Sequence, residues 1–216
     1  MAEAPLRGRN TCALRGTDSG RFFMQKLRML VPVNLDCFDP FPVLETERLR
    51  LRELSAEDTS SLFDVFRDHE VMRYYDVEPM TDIGAAEELI REMRERYTAR
   101  KGIRWAIIDR LEGGFLGTIG FNRIDMVARV AVIGYEIGRP AWRRGFATEA
   151  VRAVVSFGHE TIGVHRIEAA VMLGNEASVR VLCKVGFNDE GVLAAHGHWK
   201  GQYHDLRMFS IRRACY

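Results

Sequence analysis

The sequence predicts a mixed α/β (α+β) domain, a mostly antiparallel central sheet flanked by helices, preceded by an extension. Three observations lead there. Strand-like segments come first as a run and only later alternate with helical ones. The change falls at a basic, glycine-containing turn. Apolar residues make up 47% and charged residues 28% of the 216, the proportions of a globular chain with a sizeable core. An antiparallel start followed by crossovers gives a mixed sheet.

The domain is expected over 44–216, with 1–43 as a partly disordered extension. Leu49 and Leu51 alternate with Arg48, Arg50 and Arg52, a period of two that marks a half-buried strand. Ser55-Ala56-Glu57-Asp58 has the form of a capping sequence, and Leu62, Phe63, Val65 and Phe66 follow at helical spacing. A second amphipathic helix is predicted over 84–100. The β-like runs 105–108 and 115–121 flank Glu112-Gly113-Gly114 and read as a hairpin. A third strand, 130–137, completes a meander. Then come a helix over 148–160, a strand over 166–172, a helix over 176–185 and strands near 187–193 and 205–211.

Composition excludes some functions. The first thirty residues carry Arg7, Arg9, Arg15, Arg21, Lys26 and Arg28 against Glu3 and Asp18, while the whole chain carries a net charge of +1. The remainder is therefore close to neutral, which argues against nucleic acid as a partner. No apolar run approaches the roughly 20 residues needed to span a bilayer. Cys12, Cys37, Cys183 and Cys215 show neither Cys-x-x-Cys spacing nor a dense framework, so a reducing, cytoplasmic setting is expected and no metal site. His196 and His198 alternate along a strand-like run without a third ligand at a suitable spacing.

The segment with the most chemical content runs from Gly134 through Tyr135, Glu136, Ile137, Gly138, Arg139, Pro140, Ala141, Trp142, Arg143, Arg144, Gly145, Phe146, Ala147, Thr148 and Glu149. A strand stops at Gly-Arg-Pro, turns through a short basic loop and enters a helix. Backbone N–H groups in such a turn and in the first helical turn form a positive concavity suited to a pyrophosphate. Gly145 and Ala147 are small enough for close backbone approach, and Arg143 and Arg144 add charge at the rim. After one more strand, Asn175 opens a helix that Gly186 closes, with Ser178 in its first turn.

In these pieces the chain resembles the GNAT superfamily, specifically its RimJ/RimL-type branch of ribosomal-protein N-terminal acetyltransferases. The resemblance rests on four matches in order: Thr46-Glu47-Arg48-Leu49-Arg50-Leu51-Arg52, the Arg-Arg-Gly-Phe-Ala-Thr-Glu-Ala turn, the Asn-x-x-Ser helix ending in Lys-Val-Gly-Phe, and Trp199, Gly201 and Asp205. It implies an acetyl-CoA-dependent N-acetyltransferase. The pyrophosphate would lie on 142–148, the strand end at Ile137 and Gly138 would bond the pantetheine, and Asn175 and Ser178 would reach the pantetheine arm and the thioester sulfur. Two positions depart from the family pattern: Trp142 replaces its first Gln or Arg, and Leu182 stands where a general-acid tyrosine is common.

Amide formation then requires a neutral amine, a donor for the oxyanion and a proton or hydrogen bond for the thiolate. The candidates are Glu136 as base, directly or through water, a backbone N–H near Ile137 for the oxyanion, and Ser178 for the sulfur. Each has a structural alternative: a strand carboxylate in an ion pair for Glu136, a polar residue in a first helical turn for Ser178, a helix cap for Asn175. Tyr74 and Tyr75 could form a substrate wall or pack under a loop. The expected acceptor is a primary amine, a peptide or protein N-terminus first. A small-molecule amine or a non-catalytic CoA-binding module are the alternatives, with a homodimer as a candidate assembly.

Overall fold

The computed structural model describes residues 36–213. Its eight-stranded sheet has the order β1-β2-β3-β4-β5-β6-β8-β7. The strands are β1 (Leu44–Glu45), β2 (Leu49–Glu53), β3 (Ile103–Asp109), β4 (Phe115–Asp125), β5 (Val130–Ile137), β6 (Arg166–Met172), β7 (Asn188–Trp199) and β8 (Gln202–Arg212). Every neighbouring pair is antiparallel except β5 with β6, so the expected mixed, mostly antiparallel sheet is present.

Both faces are covered. On one lie α1 (Thr59–Phe66), α2 (His69–Met72) and α3 (Ile83–Thr98), and on the other α4 (Phe146–Ser156). The two-residue period of β3 sorts its side chains between them. Ile103, Trp105 and Ile107 join the α4 core with Phe121, Ile133, Val151 and Val154. Ala106 joins the core under α1 and α3 with Leu62, Phe66, Ile90 and Met93. α5 (Glu176–Val185) follows β6 and buries Leu182 in the α4 core.

Local sequence accounts for the element ends. Asp58 accepts from the Ser55 N–H at 2.8 Å and takes both Arg52 guanidinium nitrogens at 2.7 Å, which fixes the entry to α1. Asp82 caps α3. α4 runs into a π-helical segment, Phe157–Ile162, that ends at Gly163. Gly158 sits there because a Cβ would come within 2.7 Å of the Phe121 ring. Residues 36–42, placed by the sequence in the extension, pack onto the domain. Phe38 is buried, Phe41 lies 4.8 Å from the Tyr97 ring, and the Trp105 indole donates to the Pro42 carbonyl at 2.7 Å.

The feature that positions the site is a divergence of strands. β5 pairs with β4 along its length, as far as Gly117 with Ile137, and β6 pairs with β8 from Arg166 to Met172. Between β5 and β6 only Val130, Ala131 and Val132 find partners, in Arg166, Ile167 and Glu168. Beyond that point the strands part, and a wedge opens toward the carboxyl end of β5.

Candidate active site

The turn after β5 is built as the sequence implies. Pro140 sits in a short 3-10 turn, Arg139–Ala141, and Trp142 follows in extended conformation. Arg143 and Gly145 are both left-handed, at φ 61° and 85°. Left-handed residues interleaved with others curl the chain so that successive N–H groups point inward, the geometry that binds anions. Gly145 is the residue before α4 and has no side-chain cap, so the first-turn N–H groups of Phe146, Ala147 and Thr148 remain available and the helix dipole adds positive potential. The sequence argument for glycine was close approach of phosphate. The backbone requires it as well, since an L side chain at φ 85° is strained.

A clamp from the far end of the chain holds this turn. Glu149 of α4 accepts from the Thr46 hydroxyl at 2.6 Å, the Arg48 N–H at 2.9 Å and Arg48 Nε at 2.7 Å. Arg48 also donates to the Arg144 carbonyl at 3.0 Å and lies over the Phe146 ring, 4.7 Å from its centre. Burial alone would raise the Glu149 carboxyl, but these hydrogen bonds hold it below its ordinary value. Thr46-Glu47-Arg48 and Ala-Thr-Glu-Ala are thus two halves of one structural unit.

On the α4 face of the wedge, Tyr135 of β5 and Ser178 of α5 meet with their hydroxyls 2.8 Å apart. Asn175 caps α5 by accepting the Ser178 N–H at 3.1 Å, the structural alternative raised for it, and this leaves its amide nitrogen for other contacts. Burial, with the charge of Glu136 adding to it, pushes the Tyr135 phenol up to about 12, while the Ser178 hydrogen bond works the other way. The sequence noted Tyr135 only as a neighbour of Glu136. An aromatic hydroxyl at a strand position facing the core was the available signal.

Glu136 and Ser178, the two candidate catalytic residues, lie on opposite faces of β5 and do not touch. Glu136 points under α1 and α3, its side chain 2% exposed, and pairs with the equally buried Arg104 of β3. Thr118 donates to the same carboxylate oxygen, Oε2, at 2.6 Å, and Arg104 also reaches Thr118 and Asn122, the latter at 2.7 Å. Oε1 is buried and accepts no hydrogen bond. Tyr75 packs edge-on against Phe66 and faces this cluster, where burial and then the Glu136 charge raise its phenol above the usual range. Arg104 was missed in the sequence, although an arginine inside Ile-Arg-Trp-Ala-Ile-Ile is a charge on a strand buried on both faces.

Backbone polarity at the β5 terminus completes the site. Gly138 N–H donates to the Leu116 carbonyl of β4. Because antiparallel residues alternate in the direction of their polar groups, Ile137 and Tyr135 turn theirs toward the wedge. The Ile137 carbonyl is taken by the Trp142 indole at 2.6 Å, which is what this departure from the family pattern does structurally. An open cleft of about 1210 Å³ lies beside Gly138 and Trp142 on the α1 side, lined by Val65, Asp68, His69 and Phe115 among others, but Glu136, Ser178 and 143–148 do not line it.

The β7–β8 hairpin closes the opposite side. Lys200 and Gly201 are both left-handed between paired Trp199 and Gln202, the two-residue turn that suits a twisted hairpin. Asp205 accepts the Ala195 N–H at 2.8 Å, and Trp199 stacks 4.4 Å from His204. The Lys200 ammonium lies 3.4 Å from the Met72 carbonyl. His198 packs on Tyr203, and among the described residues no three metal-ligating side chains cluster. No helix among them is long and apolar enough to cross a membrane.

Residues 48–188 match the family model described as an acetyltransferase (GNAT) domain. The uncharacterized N-acetyltransferase YoaA of Bacillus subtilis is 43% identical over 171 residues, 79% of this chain and 97% of its own. The spermidine N(1)-acetyltransferase of Vibrio cholerae is 21% identical over 169 residues, 78% of this chain and 95% of its own. Among solved structures, RimL, the ribosomal L7/L12 alpha-N-protein acetyltransferase in complex with coenzyme A, superposes with a TM-score of 0.72 at 17% identity over 79% of this chain and 98% of that one, a likeness of fold. With the turn, both strands of the wedge and the Asn175 helix all inside the matched region, the chain belongs to the GNAT acetyltransferase family and is an acyltransferase.

Proposed function

We propose that this acyltransferase moves the acetyl group of acetyl-CoA to a primary amine, with the α-amino group of a peptide or protein as acceptor. The observation that carries the reading is the continuity of the site. The unpaired edge of β5 leads directly into a left-handed, N–H-rich turn at a helix N-terminus, so an extended arm with a pyrophosphate at one end fits both. In this reading the turn 142–148 holds the pyrophosphate, the wedge-facing backbone of Tyr135 bonds the pantetheine, and Asn175 and Ser178 flank it from α5; Gly138 does not take part, because its N–H and carbonyl are taken by Leu116 and Ala141.

Glu136 and Ser178 then act from the two faces of β5. On the α1 side of β5, Oε1 of Glu136 is the oxygen left to accept a proton, since Arg104 and Thr118 hold Oε2. The nitrogen lone pair forms the bond to the acetyl carbon, the Ile137 N–H faces the oxygen that gains charge, and the carbon–sulfur bond breaks with its electron pair on sulfur beside Ser178. The amine proton passes to Glu136, directly or through water. An α-amino group is roughly 15% neutral at pH 7, whereas a lysine side chain is almost wholly protonated, which favours the first as acceptor.

The test is release of CoA thiol from acetyl-CoA with four acceptors: a short peptide with a free N-terminus, the same peptide blocked there but carrying lysine, spermidine and an aminoglycoside. Release with the first alone is expected. Release with spermidine or the aminoglycoside alone would move the enzyme to small-molecule amines, and acetyl-CoA binding without release to any of them would overturn transfer to these amines.

A further inference from the structure

The Tyr135 to Ser178 hydrogen bond joins the two walls of the wedge, since Tyr135 lies on β5 past its last pairing with β6 and Ser178 lies on the helix that follows β6. We infer that Tyr135 is a positioning residue for acetyl transfer, donating to Ser178 Oγ and so turning the serine's own proton toward the sulfur of the bound donor. The location of the sulfur rests on the proposed function; the rest stands on the geometry of these two side chains.

A serine hydroxyl has one proton and two lone pairs. If Ser178 donated to Tyr135, no proton would remain for sulfur. A phenol is the stronger acid of the two and therefore the better donor and poorer acceptor, which favours Tyr135 as donor. Burial and the neighbouring Glu136 charge keep that phenol protonated through the working pH range. Among the described residues, Tyr135 is the one hydrogen-bond partner of Ser178 Oγ, while the Ser178 N–H is held by Asn175. The serine is therefore fixed at its backbone and at its oxygen, and its proton is confined to the two positions around oxygen that Cβ and the Tyr135 bond leave open, both away from Tyr135. Leu182, where the family often has a tyrosine, is fully buried in the core and has no proton to give. Because a phenol near 12 is a much weaker acid than a thiol near ~8.5, Tyr135 keeps its proton throughout. It orients, and the thiolate leaves with a hydrogen bond from Ser178.

The thiol of CoA itself reports this arrangement without any acceptor. Calorimetry first measures CoA affinity, and ultraviolet absorbance of the thiolate then follows titration of the bound thiol. A donated hydrogen bond favours the thiolate, so the bound thiol should titrate below that of free CoA. Tyr135→Phe should raise it by about half to one unit, Ser178→Ala by at least as much, and the double variant no further than Ser178→Ala. With an accepted amine, Tyr135→Phe should turn over about 10-fold more slowly at unchanged KM for acetyl-CoA. If Tyr135→Phe lowers Tm and leaves the thiol titration unmoved, or if the two changes add, Tyr135 is only a structural bridge and the inference fails. Should Tyr135→Phe not fold, 3-fluorotyrosine at position 135 keeps the packing and donates more strongly, so the bound thiol must titrate lower still; no shift overturns the inference. Wild-type protein that binds no CoA would refute the proposed function itself, whereas CoA binding with an unmoved titration would refute this inference alone.

Discussion

Arg104 and Glu136 form an ion pair with side chains 6% and 2% exposed, and at that depth replacing one partner does more than remove an interaction. A single Glu136→Gln change leaves the Arg104 charge without its counterion, and Arg104→Met leaves a bare carboxylate; either should cost about 3–5 kcal/mol of stability. Loss of turnover in Glu136→Gln would therefore not by itself identify a base. The informative protein is Arg104→Met/Glu136→Gln, in which no charge is stranded. We expect it to recover most of the stability lost in the single variants, by thermal melting, and to remain slower than wild type by about 10- to 1000-fold below the acceptor's pKa, with the deficit narrowing as the amine deprotonates unaided. Recovery of both stability and wild-type turnover would reduce Glu136 to a structural partner of Arg104. Oε1, which is held by neither Arg104 nor Thr118, is the reason to expect otherwise, because it is the carboxylate oxygen left to take the amine proton.

Between elements, the contact that sets the phosphate-suited turn is the grip of Thr46 and Arg48 on Glu149, and it has a pH signature. The Glu149 and Asp58 carboxyls are both held below their ordinary values despite burial, Glu149 by Thr46 and Arg48, Asp58 by Arg52 and Ser55. A depressed carboxylate contributes stability that is present above its unfolded value, roughly 4.3 for Glu and 3.9 for Asp, and lost as pH falls through the folded one. Melting temperature should accordingly hold from pH 7 to about 5 and fall below about 4. Glu149→Gln should lower Tm at pH 7 by a few degrees, since Arg48 is partly exposed and the pair is worth roughly 1 kcal/mol, and should flatten part of the acid slope while Asp58, Asp189 and Glu190, also held below their ordinary values, keep the remainder. Parallel Tm curves for the two proteins would mean the clamp does not titrate. The sequence could show both halves of this clamp but not their contact, because nothing in local spacing links residues a hundred positions apart. β5, β6 and α5 were legible to the residue, since the period of two in β5 and that of 3.6 in α5 stop at Gly138 and Gly186, and β6 stops just before Leu173-Gly174-Asn175. The π-helical end of α4 and the full length of β7 were not. The first follows from the close approach of Gly158 to Phe121, and the second from pairing with β8 across bulges, both tertiary effects.

At the scale of the whole domain, the two cores are separated by the sheet, and the α4 core is closed at one end by the segment just before β1. Trp105 is fully buried, and its indole N–H is satisfied by the Pro42 carbonyl, while Phe38 and Phe41 pack against Tyr97 beside it. We propose that the folding unit includes residues 36–43 rather than beginning at residue 44. A chain starting at Leu44 would lose the Phe38 side chain from the core and leave a buried indole donor without an acceptor. By analogy with removing a buried phenylalanine, the loss should be about 3–5 kcal/mol, or about 10 °C in Tm for a domain of this size. A chain starting at Val33 should keep the full-length Tm. These contacts lie at β3, two strands away from the Tyr135 to Ser178 bridge on β5, so turnover of the shorter chain at a temperature where it remains folded should match that of the longer one. Equal Tm values for the two truncations would place the boundary at residue 44 after all. Equal Tm with lost turnover would instead give residues 33–43 a part in the acceptor site, which the distance from β5 argues against.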